Sequence, residues 1–191
     1  MIITLEEAKK LNANMAQDDL NALEAMIRNT THNPFIDTSV RRTGFTVSKG
    51  NLLTFNDNVG IKYLRVNDTV ILADTTAFDS NGTTINDGIF QVKSLSDNTV
   101  ELMANGGGDI ELFNAYHGSG LLAKVSYPDD VKVGLKKLID YDVKTAANVG
   151  LKSKSVARVT ENYLDVNATE NLNGYPKALI GFLAKYRKLR W

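Results

Sequence analysis

Cysteine is absent from the 191-residue chain. That removes disulfides, thiolate metal sites and cysteine nucleophiles together, and fits synthesis in a reducing cytosol. Histidine is nearly absent, with only His32 and His117. Each stands beside turn residues, so a His-based metal site or a Ser-His-Asp triad would have to gather its partners from distant segments. No apolar run is long enough to span a bilayer, and the start turns acidic at Glu6-Glu7, too early for a signal peptide. An excess of either charge is missing too: 22 Lys and Arg stand against 22 Asp and Glu.

What is there is a charge gradient hidden in that zero. Residues 1–42 hold five basic and six acidic residues, and residues 43–126 hold five and nine. Residues 127–191 hold twelve and seven. A basic C-terminal part next to an acidic middle implies an anionic partner or an acidic face of another subunit, against the plainer reading of a solvated face.

The grammar of the chain changes twice. Thr4 and Glu7 have capping-box spacing, in which the Thr oxygen and the Glu carboxylate each satisfy a free N–H of the first turn. A second helix carries Leu20, Leu23, Met26 and Ile27 on one stripe and ends at Asn33-Pro34. From about residue 43 to 126, β-branched runs at 45–49, 52–55, 61–66, 69–73, 89–94, 99–103, 110–113 and 121–125 alternate with Asn, Asp and Gly turns. That spacing predicts a small barrel or sandwich. Helical signals return at Tyr127-Pro128-Asp129-Asp130, with apolar Val131, Leu135, Leu138 and Ile139 behind them. Residues 151–173 read as an arm or hairpin, and Gly174-Tyr175-Pro176 opens a last helix bearing Leu179, Phe182, Leu183 and Tyr186. The expected fold class is α+β: a discontinuous small helical bundle, residues 1–42 and 127–191, carrying an inserted all-β barrel or sandwich, residues 43–126.

Motifs that would carry chemistry are weak. Gly106-Gly107-Gly108 is followed by Asp109-Ile110-Glu111, with no Gly-Lys-Ser/Thr, so it is not a phosphate-cradling loop. Gly118-Ser119-Gly120 lacks the spacing of a nucleophile elbow. Asp129/Asp130 and Asp140/Asp142 are too close along a helix to face one another as an acid/base pair. Asp74, Asp79 and Asp87 lack the alternation of a calcium loop. No catalytic residue, metal ligand or cofactor site is expected, and the chain reads as a non-enzyme. The candidate surface is the basic, aromatic end, where Tyr186 and Trp191 combine contact area with a polar handle beside Arg187, Lys188 and Arg190.

Four stretches resemble the head–tail connector (adaptor) proteins of long-tailed bacteriophages. Tyr127-Pro128-Asp129-Asp130-Val131-Lys132-Val133-Gly134-Leu135-Lys136-Lys137-Leu138-Ile139 is similar to their Pro-initiated long helix. Lys152-Ser153-Lys154-Ser155-Val156-Ala157-Arg158 resembles the segment after it. Gly174-Tyr175-Pro176-Lys177-Ala178-Leu179-Ile180, running on to Tyr186-Arg187-Lys188-Leu189-Arg190-Trp191, resembles their closing helix. Ile3-Thr4-Leu5-Glu6-Glu7-Ala8-Lys9 fits their first helix. The match covers a little over half of the chain, and residues 43–126 depart from the family's compact helical pattern.

The resemblance implies a ring, dodecameric in that family, at the virion neck, made in the host bacterial cytoplasm. It implies docking on the portal through Tyr186, Arg187, Lys188, Arg190 and Trp191. An arm including Lys152, Lys154, Arg158 and Tyr163 would meet a neighbouring subunit or the next neck protein. Genomic DNA would pass through the channel without sequence recognition, and no membrane or cofactor is implied. Two other classes compete: a sequence-nonspecific DNA-binding module built on the basic segment, and a β domain that binds a ligand of unknown specificity.

Overall fold

Alternation builds the middle of the molecule. In β2 (Leu52–Phe55) and β5 (Thr99–Ala104), Leu53, Phe55, Val100 and Leu102 point inward and are buried, while Leu52, Thr54, Thr99 and Glu101 between them are only half-buried. A period of two is what a strand with one buried face requires. The computed structural model describes residues 1–48, 50–75, 86–112, 117–146, 153–156, 159–162 and 171–189, with backbone only at 48, 117–119, 153–156 and 159–162.

β2 and β5 belong to a closed antiparallel barrel with β1 (Ile36–Ser48), β3 (Thr69–Ala73), β4 (Gly88–Ser96) and β6 (His117–Val125), in the order β1-β2-β5-β4-β3-β6. Closure comes from β1, which pairs β2 along its second half and β6 along most of its length. A closed sheet leaves no strand edge open to another chain. The thirteen-residue β1 bends at two irregularities in its pairing with β6, between Asp37 and Arg41 and between Thr43 and Phe45. At the second, Gly44 takes a φ of 71°, a conformation costly for any residue with a Cβ. At the first, the Asp37 carboxylate accepts from the Ser39 N–H at 2.9 Å and the Ser39 hydroxyl at 2.6 Å. Those two bonds hold its carboxyl below the usual range.

Inside the barrel, Phe45 and Phe55 meet in a tilted pair with ring centroids 5.7 Å apart. Leu53, Leu72, Leu102 and Leu122 fill the space around them, each almost wholly buried. Burial of such a side chain is worth about 1.5–3 kcal/mol, so the barrel has a core of its own. The chain divides into two compact units, one of Met1 and Pro34–Ser126, the other of Ile2–Asn33 and Tyr127–Trp191.

The second unit contains α1 (Leu5–Lys9), α2 (Gln17–Thr31), α3 (Asp129–Thr145) and α4 (Lys177–Ile180), which runs into a 3-10 turn, Gly181–Tyr186. It also contains two small hairpins, β7 (Ser153–Val156) with β8 (Val159–Asn162), and β9 (Asn171–Leu172) with β10 (Tyr175–Pro176). The Thr4/Glu7 capping box forms, with bonds of 3.2 and 3.1 Å. In α2 the N-terminal box is half of one: Asp19 accepts from the Ala16 N–H at 2.8 Å, and alanine offers nothing in return.

The expected fold class is overturned. The molecule is mostly β, a closed six-stranded barrel with a few helices, and not a helical bundle with a barrel inserted into it. Three local facts account for the difference. Residues 36–42, assigned to the helical part by the sequence, are the first half of β1. The first helix is five residues long, too short for a bundle. The last segment has a single α-turn followed by 3-10 geometry, in which the side-chain repeat is three: Ile180 and Leu183 are buried and Tyr186 is half-buried. Its apolar stripe suits that repeat as well as a longer helix. Within the barrel region, the run at 61–66 is no strand: Ile61–Tyr63 form a 3-10 turn.

Candidate functional site

The C-terminal segment is positioned from three directions. First, the β9–β10 hairpin turns through Asn173 and Gly174, whose φ values of 53° and 83° are those of a type I′ turn, for which Asn-Gly is the favoured pair. Asn173 also donates its side-chain amide to Thr30 Oγ1 at 2.9 Å. Second, buried Tyr175 donates its hydroxyl to Asp142 Oδ2 on α3 at 2.7 Å, and its ring lies 6.0 Å from that of Tyr141. Burial pushes the Tyr175 phenol up, and the Asp142 carboxylate adds to this. Asp142 is itself raised by burial, which its bond from Tyr175 partly offsets.

Third, the end of the 3-10 turn is tied to the start of α3. Tyr186 donates to Asp130 Oδ1 at 2.5 Å, and Lys185 Nζ lies 2.8 Å from Asp130 Oδ2. The same ammonium stands 5.1 Å from the Tyr186 ring centroid, within reach of a cation–π contact. Lys185, and then Tyr186, hold the Asp130 carboxyl below its ordinary value; Asp130 in turn raises both partners. The chain then runs past the end of α2, where Asn33 Nδ2 donates to the Tyr186 carbonyl at 3.3 Å and the Lys188 N–H to the Thr31 carbonyl at 2.8 Å.

The expected interface residues therefore have different surroundings. Tyr186 is half-buried, with both its hydroxyl and its carbonyl engaged inside the unit. Arg187 and Lys188 are exposed, and Leu189 is 76% exposed. Arg190 and Trp191 lie outside the described residues. Of the expected arm, Lys154 stands on β7 opposite Glu161 of β8, while Lys152, Arg158 and Tyr163 lie outside the described residues. Sequence reasoning missed Leu172 and Lys177 beside this segment. The signal was present in Asn173-Gly174, the two-residue turn that places them.

The weaker motifs find other roles. Asp87 accepts from the Asp74 and Thr75 N–H groups at 3.2 and 2.9 Å and from the Thr75 hydroxyl, which makes it a turn clamp; Asp79 lies outside the described residues. Asp140 pairs with Lys144 and Asp142 with Tyr175. Gly106, Gly107 and Gly108 all take positive φ in the turn after β5, where Gly106 N–H donates to Gln91 Oε1 at 3.1 Å. His117 sits on β6 opposite Thr46, and His32 takes a left-handed φ of 49° at the end of α2. Among the described residues no group of three His, Cys, Asp or Glu side chains is placed to hold a metal ion, and no helix is long and apolar enough to cross a membrane. A scan against protein-family models finds none that matches this chain, and a search of curated proteins finds no match either.

Proposed function

We propose that this chain is a structural subunit of a tailed-phage neck. In this reading it assembles as a closed ring, docks on the portal through its C-terminal segment and extends the DNA channel from head to tail. One observation carries the reading. The opening, the Tyr-Pro helix and the closing segment, which bear the resemblance to phage connectors, are joined to each other by side-chain contacts. Glu7 of the opening pairs with Lys136 of α3 at 3.0 Å. Asp130 of α3 pairs with Lys185 and Tyr186 of the closing segment. Gly134 of α3 leaves room for the Phe182 ring, whose nearest atom stands 2.2 Å from where a Cβ would be. The resembling residues thus serve one another structurally, as they would in a shared unit, and leave Arg187 and Lys188 facing outward.

Residues 34–126 form the barrel, which the family's compact pattern lacks, and hold seven basic and ten acidic residues. A net negative charge argues against that unit lining a DNA channel. In this reading it meets neighbouring subunits or a further neck protein instead. Native mass spectrometry of the purified chain, with and without a portal ring, tests the proposal. A closed ring, or a portal-bound complex lost on removal of residues 187–191, is the expected result. Neither ring nor portal binding would sink it, and tight, site-preferring duplex binding in a salt-series gel shift would favour the DNA-binding alternative.

A further inference from the structure

Beside the closing segment the second unit carries a groove with an apolar floor and a cationic rim. Leu172, Ile180, Leu183 and Ala184 line a hollow of about 290 Å³, with Lys177 and Arg187 among its walls. Ile180 and Leu183 are buried, whereas Leu172, Lys177 and Arg187 reach solvent. Thr30, Leu172 and Arg187 also line an adjoining hollow of about 250 Å³, together with Asn29, His32 and Asn173. Arg187 therefore stands where the two hollows meet.

The charges around this groove are one-sided. No described lining residue of either hollow is acidic. Elsewhere in the unit Arg28, Lys132, Lys136, Lys144 and Lys185 each have a carboxylate partner. Among the described residues Arg187 and Lys177 have none, as is true also of Lys9, Lys10, Lys137 and Lys188, but these two stand beside an apolar floor. A guanidinium beside apolar surface is a strong site for a carboxylate, because the poorly solvated wall strengthens a charge-assisted bond and the planar fork can engage both oxygens. Among the described residues the apolar hollow has no aromatic lining and the adjoining one has only His32, a slight platform for stacking nucleic-acid bases. The chain's own ending, with Lys188 and Arg190, has the wrong charge to occupy it in a second copy.

We propose that this groove receives a segment of a partner protein in which an apolar side chain stands next to a carboxylate. The apolar group lies over Leu172, Ile180 and Leu183, and the carboxylate meets Arg187, with Lys177 as a second cation. The proposal deepens the assembly reading by naming the chemistry of the partner contact, and rests on that reading for the partner's being a neck or portal protein. Fluorescence anisotropy with the full chain tests it, using a labelled peptide of alternating leucine and glutamate and its leucine–glutamine counterpart.

Saturable binding of the acidic peptide is expected, with the neutral one about tenfold weaker or worse. Arg187→Glu and Leu172→Ser, both at exposed positions, should each cost about the same factor without changing helical circular dichroism. Arg187→Glu should instead gain affinity for a leucine–lysine peptide. Equal binding of acidic and neutral peptides, variants that bind like the wild type, or no saturable binding would overturn the proposal. So would a Leu172→Ser variant that breaks up a homo-oligomer, since the groove would then belong to a second copy. Peptide binding that persists in a chain forming neither ring nor portal complex would sink the neck reading and leave the groove intact; a ring that binds no peptide would do the reverse.

Discussion

Glu24 is a carboxylate standing on the inner face of α2, in register with buried Leu20 and Ile27. It is 2% exposed, and a charge so placed survives only with partners. Its Oε1 accepts from Arg28 Nη1 and from the Tyr127 hydroxyl, both at 2.7 Å, and Arg28 also donates to the Tyr127 oxygen at 3.0 Å. Burial, and then the Glu24 charge, push the Tyr127 phenol up, so the hydroxyl stays a donor at all ordinary pH. Tyr127→Phe should lower stability by about 1.5–3 kcal/mol, the range for a hydrogen bond to a charged group. Glu24→Ala should cost more, about 3–5 kcal/mol, because it leaves Arg28 without its partner. Urea midpoints followed by helical circular dichroism would show this order, and equal midpoints for the two variants would contradict it. The acid response works through Asp130. Its folded carboxyl is held below the ordinary value, so its contribution is present above the unfolded value of about 3.9 and is lost as pH falls through the folded one. Asp142 has the opposite sign: its raised carboxyl favours the folded state at low pH and loses that advantage as pH rises through the folded value. Asp130→Asn should therefore weaken the fold near neutrality and flatten its acid loss, whereas Asp142→Asn should leave neutral stability unchanged or higher. Urea midpoints between about pH 2.5 and 6 test both signs.

At the scale of elements, the strands were the most legible part. The runs at 52–55 and 69–73 coincide with β2 and β3, because alternation and turn residues bound them on both sides. The front half of β1 was not legible: Asp37, Ser39, Arg41 and Arg42 interrupt its pattern, and it is held by pairing with β6, which no local signal announces. The same limit hid Glu24, whose burial depends on Tyr127, about a hundred residues away. Of the candidate site, the basic ending was visible in the sequence, but the groove beside it depends on the β9–β10 hairpin and on 3-10 geometry. Gly134 marks where that ending leans on α3. A Cβ there would stand 2.2–2.5 Å from three atoms of the Phe182 ring, while at Gly181 it would meet nothing within 4 Å. Alanine gains about 1 kcal/mol over glycine within a helix, but forcing an extra methyl into packed space costs about 1–3 kcal/mol. Gly134→Ala should then release Phe182 and speed tryptic cleavage at Lys185, Arg187 and Lys188, whereas Gly181→Ala should not. Equal cleavage rates in the two variants would mean that α3 does not hold the closing segment in place.

At the scale of the molecule, the barrel residues 34–126 hold seven basic and ten acidic residues, against fifteen and twelve in the remainder after Met1. That division coincides with the two compact units, each with its own buried apolar residues. A unit with a closed sheet and a core built on Phe45, Phe55 and six buried leucines should fold alone. Where it is cut decides whether it does. Residues 36–42 supply the pairs Ile36↔Val125, Asp37↔Lys124, Arg41↔Ala123 and Arg42↔Leu122 that close β1 onto β6. A fragment of residues 34–126 keeps them. A fragment starting at 43, where the composition of the sequence changes, loses them, opens the seam and leaves half of β6 as a bare edge beside the apolar core. The first fragment should give a β-type circular dichroism spectrum and a cooperative urea transition; the second should aggregate or unfold without one. If both fragments folded equally well, the front half of β1 would be dispensable, and closure of the barrel would not be what holds this unit together.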